Sequence, residues 1–327
     1  MPEREAILVA DIGGTNARFA LARPDAGPAG FVLQQRQDFR AEDFDSLQGA
    51  LGAYCESLAE PMPRRACFAI AAPPADGLIR LTNSPWTLER EALMAALDLH
   101  TLLVVNDFAA MTSGTRFLGD KDTITVRPGV AVSQAPRAVL GPGTGLGFGL
   151  LVPCAEGSMR IVATEGGHAS FAPQTEEEID IMRLIRREHE TVCFEHLLSG
   201  RGLVNIHRAL CVLAGTARIS LRPAQITAAA TGTDYPLAKR AVEVFCAVLG
   251  SCAGDFAMVT GALGGLVIAG GIVPKIADVF LHSAFGERFG TPGYQKNYLK
   301  TVPVALLTAN DTALIGAAHM LDEKSGA

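Results

Sequence analysis

Apolar and polar positions fall along this chain in blocks that predict an α/β fold written twice. Ala6-Ile7-Leu8-Val9-Ala10 is an apolar run of strand length that enters Asp11-Ile12-Gly13-Gly14-Thr15-Asn16, and a second strand-like run, Ala17 to Leu21, follows. Ala138-Val139-Leu140 likewise enters Gly141-Pro142-Gly143-Thr144-Gly145-Leu146-Gly147 and is followed by Phe148 to Val152. Short, uniformly apolar runs bounded by glycine suit strands buried on both faces. Around the first turn the pattern predicts strands at 6–10, 17–22 and 30–39. A helix over 44–60 follows, with Leu47, Leu51 and Leu58 on its apolar side, then a buried strand at 67–71 and an edge strand at 78–81. Leu88 to Leu97 reads as a helix and 102–105 as a strand ending at Asn106-Asp107.

The later part repeats the theme. Thr175 opens a helix with Glu178 three residues on, the spacing of a capping box, and Ile179, Met182 and Ile185 form its buried stripe. A long helix over about 236–258 leads into a strand at 266–269, and a strand at 302–306 precedes a helix from Asp311. Two βββ-α-β-α units, each opening on a glycine turn, predict a duplicated fold with a cleft between its halves. Ligands of open α/β sheets bind outside the carboxyl ends of the strands.

One stretch imitates a membrane span, because no charge occurs from Phe256 to Pro274. Gly261, Gly264, Gly265, Gly270 and Gly271 break it, so it reads as the end of a buried helix, a turn and a short buried strand, with no membrane implied. The 327 residues are 49% hydrophobic and carry net charge −6, an ordinary globular balance with room for two domains and no basic cluster to hold nucleic acid. Seven scattered cysteines without a C-x-x-C pair read as reduced thiols of a cytoplasmic protein. His189-Glu190-Thr191-Val192-Cys193 has the outline of a zinc-protease motif, but cysteine stands where the second histidine belongs.

Glycine turns leave backbone N–H groups bare, and such concave amide clusters bind anions. Two at equivalent places suggest the halves of a polyphosphate clamp. The P-loop pattern is absent, and the run from Gly141 to Gly149 does not fit the dinucleotide fingerprint. Asp11, a carboxylate ending an apolar strand beside glycines, suits Mg²⁺ held through water, since this ion keeps much of its hydration shell. Asn106-Asp107 would by itself be an Asx turn at a strand exit. Beside phosphate turns, Asp107 becomes a candidate base for a hydroxyl attacking a phosphoryl group. Glu165-Gly166-Gly167-His168 lets a carboxylate and an imidazole approach one polar ligand. Glu195 alone would read as a solvated helix residue. Together, Asn83, Asn106, Asp107, Glu165, His168 and Glu195 form a polar set suited to the vicinal hydroxyls of a polyol.

The ordered combination of Val9-to-Arg18, Thr82-Asn83, Asn106-Asp107-Phe108, Gly141-to-Gly147, Glu165-to-His168, Leu198-Ser199-Gly200-Arg201-Gly202-Leu203 and Ala269-Gly270-Gly271-Ile272 resembles the bacterial glucokinases, over residues 6 to about 318. The resemblance implies a duplicated actin-like (ribonuclease H-like) ATPase fold. Its small α/β domain would hold 1–115 plus about 308–327, and its larger domain 116–307. It further implies ATP- and Mg²⁺-dependent phosphorylation of the glucose 6-hydroxyl, the first step of glycolysis, in a cytoplasmic homodimer. Asp107 would be the base, with Asn106, Glu165, His168 and Glu195 on the sugar. Asp11, Gly13, Gly14, Thr15 and Asn16 would meet the phosphates together with Gly141, Gly143, Thr144 and Gly145, and Gly270-Gly271 would lie by the adenosine. No cysteine cluster stands near His168, so the resemblance is to the zinc-free group. The alternatives are a kinase for another hexose or amino sugar, or a non-catalytic sugar-binding regulator of the same fold.

Overall fold

The computed structural model describes residues 5–71, 78–81, 86–217, 220–230, 232, 235–290 and 297–325. The chain divides into two compact units, Met1–Lys121 with Ala309–Ala327, and Asp122–Thr308.

The first unit contains β1 (Ile7–Ile12), β2 (Asn16–Pro24), β3 (Phe31–Arg40), α1 (Leu47–Ser57), β4 (Arg65–Ile70), β5 (Leu78–Arg80), β6 (Thr87–Glu89), α2 (Arg90–Ala96), β7 (Thr101–Asn106) and α3 (Asp107–Gly114). The second runs through β8 (Thr123–Arg127), β9 (Arg137–Pro142), β10 (Leu146–Pro153), β11 (Met159–Thr164), α4 (Glu176–Ile185), α5 (Gly200–Leu213), α6 (Pro223–Ala229), α7 (Pro236–Thr260), β12 (Leu266–Ile268), α8 (Ala277–Leu281), α9 (Phe285–Gly290) and β13 (Val304–Leu307). The last helix, α10 (Thr312–Ser325), belongs to the first unit.

The duplication is explicit in strand order. The first sheet is β3-β2-β1-β4-β7, with β1 antiparallel to β2 and parallel to β4. The second is β11-β10-β9-β12-β13-β8, with β9 antiparallel to β10 and parallel to β12. Its first five strands repeat the first sheet position for position, and β8 adds an antiparallel edge strand beside β13.

Alternation along β1 explains why its run is apolar throughout. Leu8, Ala10 and Ile12 join a core with Leu47, Leu51 and Tyr54 of α1, while Ile7 and Val9 face Ala110 of α3 and Leu314, Ala317 and Leu321 of α10. A sheet covered on both faces has no polar side to show. The uncharged stretch after Phe256 is the end of α7, a left-handed Gly261 and then buried β12. Alone among the described helices, α7 is long and apolar enough to cross a membrane, and 61% of its most apolar window lies buried inside the protein.

Several elements differ from expectation. Leu88 lies on β6, paired with β5 in a two-stranded ribbon, and the helix starts only at Arg90 because the Glu89 carboxylate caps it from the Glu91 and Ala92 amides. The helix expected over 44–60 is α1, capped by Ser46 and ending before Leu58. In α4 Ile185 is buried as expected and Met182 is partly so, but the other fully buried positions are Glu178 and Ile181, not Ile179. Thr175 does cap the Glu178 amide, but the Glu178 carboxylate accepts from the Gln174 amide instead of that of Thr175.

The position of α3 is set by close contact with α10. A Cβ on Gly316 would overlap the Ala110 carbonyl oxygen, and one on Gly114 would overlap that of Thr312. Gly316→Ala is therefore expected to lower stability by about 1–3 kcal/mol, the usual cost of overpacking. Gly52→Ala on α1, where a Cβ meets nothing within 4 Å, is the matched control and should be neutral or stabilising. Thermal melts of the two variants check this.

Candidate active site

In the first unit Asn106 and Asp107 stand at the carboxyl end of β7; in the second, Glu165 follows the end of β11, and Glu195 lies in a 3-10 turn, Phe194–His196. In the first unit, Asp11 pairs with Ala69 and Asn106 with Ile70, so one strand, β4, separates the Asp11 turn from Asn106-Asp107. The Gly13 amide closes that turn on the Asn16 carbonyl at 2.9 Å, and Thr15 and Asn16 are exposed at its tip.

Burial raises the Asp11 carboxyl above the ordinary carboxylate range, and the neighbouring Arg18 opposes the rise. Arg18 Nη1 donates to Asp11 Oδ2 at 2.8 Å. Among the described residues no group of three or more His, Cys, Asp or Glu side chains could hold a metal by itself. A single carboxylate beside a glycine turn fits an ion that completes its shell with water and phosphate oxygens, as Mg²⁺ does.

Asn106 and Asp107 divide their work. Asn106 Oδ1 caps α3, accepting from the Phe108 amide at 3.0 Å and the Ala109 amide at 3.1 Å. The Asx-type turn expected at this strand exit thus exists and belongs to Asn106. Asp107 is the first residue of α3, half-buried, with Oδ1 accepting from the Phe108 amide at 2.8 Å. A carboxylate is well placed at a helix N-terminus, where the backbone dipoles favour negative charge.

In the second unit four motifs meet. The turn between β9 and β10 is closed by the Gly143 amide on the Gly145 carbonyl at 2.8 Å, with Thr144 exposed at its tip. The Gly200 amide donates to the Gly143 carbonyl at 2.9 Å, joining the start of α5 to this turn. Glu195 Oε2 accepts from the Leu146 amide at 2.9 Å and stands where a Gly145 Cβ would point, so Glu195 is not a merely solvated residue. Glu165 and His168 flank a 3-10 turn, both exposed, their Oε2 and Nε2 3.8 Å apart. Gly270, just after β12, has φ +82°, and a Cβ there would overlap the Pro142 carbonyl, so only glycine fills the place without strain.

Gly13 and Gly143 are different in kind. A Cβ on Gly13 would come no closer than 3.7 Å to any atom, one on Gly143 no closer than 4.0 Å, and neither residue has positive φ. The fold does not demand glycine at either place. A bare turn of this kind leaves room for a ligand such as a phosphate chain. Asn83 lies outside the described residues.

The Glucokinase family model matches residues 8–324. A curated glucokinase from Chromobacterium violaceum is 41% identical over 98% of this chain and 91% of its own length. The crystal structure of glucokinase from an Antarctic psychrotroph is 38% identical, covers 98% of this chain and 99% of its own, and superimposes with a TM-score of 0.86. A ROK family glucokinase from Streptomyces griseus, solved with glucose and AMPPNP, shares the fold at 18% identity and TM-score 0.65. The actin-like ATPase architecture implied by the sequence motifs is therefore the observed fold. By family model, identity and architecture together, this chain belongs to the glucokinase family.

Proposed function

We propose that this chain transfers the γ-phosphoryl group of ATP to the 6-hydroxyl of D-glucose. The observation that carries the reading is the paired occurrence of open glycine turns, one a strand away from Asn106-Asp107 and the other against Glu195, in a chain 41% identical to a glucokinase. Asp107 takes the proton of the attacking hydroxyl. Asn106, through the Nδ2 that its capping role does not use, binds sugar hydroxyls with Glu165, His168, Glu195 and Asn83. Backbone amides at the tips of the two turns, from Gly14 to Asn16 and at Thr144 and Gly145, hold the phosphates, with Gly13, Gly141 and Gly143 leaving them room, and Gly270-Gly271 borders the adenosine. Mg²⁺, held by Asp11 through water, would neutralise charge on the phosphates. The protein works in the cytoplasm as a homodimer.

The test is a coupled assay for glucose 6-phosphate with ATP, ADP and polyphosphate as donors, and with mannose and N-acetylglucosamine as competing acceptors. Highest kcat/KM for ATP and glucose is expected. A preference for mannose or N-acetylglucosamine would reassign the substrate, and no turnover with any pair would favour a sugar-binding regulator.

The Asp11 assignment has a separate consequence. Because the fold raises its pKa, folded Asp11 binds its proton more readily than unfolded Asp11 does. Its ionisation thus costs stability, a cost absent in acid and growing as pH rises through the raised pKa. Asp11→Asn removes that cost and releases Arg18, whose side chain is 35% exposed and can be solvated. The unliganded Tm at neutral pH should equal or exceed wild type, while kcat/KM for Mg-ATP falls about tenfold or more. Unchanged Mg²⁺ dependence would remove Asp11 from the metal site.

A further inference from the structure

We propose that His196 is a positioning residue for Glu195, holding the sugar-binding turn in place only while its imidazole is neutral. The proposal rests on the assignment of Glu195 to glucose. Glu195 sits in the 3-10 turn Phe194–His196. The Cys193 amide, at the entrance to that turn, donates to His196 Nδ1 at 3.2 Å, and Cys193 Sγ lies 3.4 Å from the same nitrogen. The His196 amide in turn faces back toward Cys193, closing a reciprocal cap across the residues that carry Glu195. Downstream, the Ser199 hydroxyl donates to the Glu195 carbonyl at 2.8 Å and Asn205 Nδ2 to that of His196 at 3.0 Å. The turn is thus fastened at both ends. Upstream the Phe194 amide also donates to the Ala169 carbonyl at 3.0 Å, and of all these bonds the one from Cys193 to His196 Nδ1 depends on a titratable side chain.

An Nδ1 that accepts a backbone N–H carries no proton. Protonation would set donor against donor and open the cap. The surroundings oppose protonation. His189 stacks on His196 with ring centroids 4.0 Å apart and planes inclined by 24°, so a positive charge on His196 would form against that face. Burial depresses the His196 pKa first, then His189, with His168 and Arg201 acting the same way and Glu195 alone opposing. A group whose folded pKa is depressed gives stability that is present above its unfolded pKa and lost as pH falls through the folded one. The cap is therefore intact at neutral pH and fails in acid. His189 and Cys193, which outline the incomplete zinc-protease motif, serve here as the stacking partner and the capping donor of one histidine.

The experiment measures glucose KM and kcat at saturating ATP between about pH 8 and about pH 5, the range over which histidine charge changes. Wild type, His196→Ala, His196→Asn and Glu195→Gln are compared. Asparagine places an oxygen near the Nδ1 position and cannot titrate. His196→Ala should raise glucose KM about fivefold at neutral pH, the effect of losing one cap, with little change in kcat. His196→Asn should restore a near wild-type KM at neutral pH and flatten the acid-side rise that wild type shows. If Glu195→Gln raises KM but His196→Ala leaves it unchanged, or His196→Asn keeps the wild-type acid-side rise, the positioning role is overturned alone. An unchanged glucose KM in Glu195→Gln overturns the sugar assignment and the positioning role with it.

Discussion

Asp107→Asn is expected to lower kcat by about 10²–10⁴-fold, the usual contribution of general-base assistance, while the fold and ATP binding persist. The cap of the helix does not depend on the substituted carboxylate. The cap of α3 is Asn106, whose Oδ1 accepts from both Phe108 and Ala109. Asp107 Oδ1 accepts from the Phe108 amide, and an Asn oxygen reproduces that bond. The variant loses a negative charge at the head of the helix, a matter of about 0.3–1 kcal/mol. Stability and chemistry therefore separate: a small change in Tm should accompany a near-complete loss of turnover at saturating glucose and ATP. A folded variant that keeps more than about a tenth of wild-type kcat would take Asp107 out of the role of base.

Most of the sheet framework and the clustering of motifs within each unit were legible because their signals are local. β1 and β9 are short apolar runs closed by glycine, and Asn106-Asp107 marks a strand end by composition alone. What escaped has one physical origin, the dependence of a residue's role on partners remote in sequence or on competing local bonds. Leu88 fits a helical stripe, yet Glu89 caps the helix behind it and leaves Leu88 on a strand. The edge strand β8, Thr123-Ile124-Thr125-Val126-Arg127, carries a β-branched signal that only its partner β13 turns into a sixth strand. Glu195 looks solvated until the Leu146 amide comes within 2.9 Å. His196 carries no capping signal in the sequence, since the usual capping acceptors are Ser, Thr, Asp and Asn.

Glu178 is the clearest such case, and it carries the largest expected effect on stability. Its sequence spacing announces a capping residue, but in the fold its side chain is 3% exposed and faces Arg288 on α9, which is 16% exposed. Arg288 Nη1 and Nη2 donate to its two oxygens at 2.7 and 3.2 Å, the Gln174 amide adds a third bond at 2.7 Å, and Arg288 Nε reaches Ser251 Oγ on α7 at 2.9 Å. One guanidinium therefore ties α4, α7 and α9 together. Arg288→Met keeps much of the apolar stem but strands a buried carboxylate with a single amide, and should cost about 3–5 kcal/mol. The double variant Glu178→Met/Arg288→Met removes both charges and should recover most of that loss, since an apolar pair of similar volume often replaces a buried ion pair without penalty. Denaturant unfolding of wild type, the two single variants and the double variant gives the coupling directly. None of these atoms belongs to the proposed site, so kcat measured well below Tm should stay at wild type throughout. A single variant that loses less than about 1 kcal/mol would show that the pair contributes little beyond an exposed salt bridge.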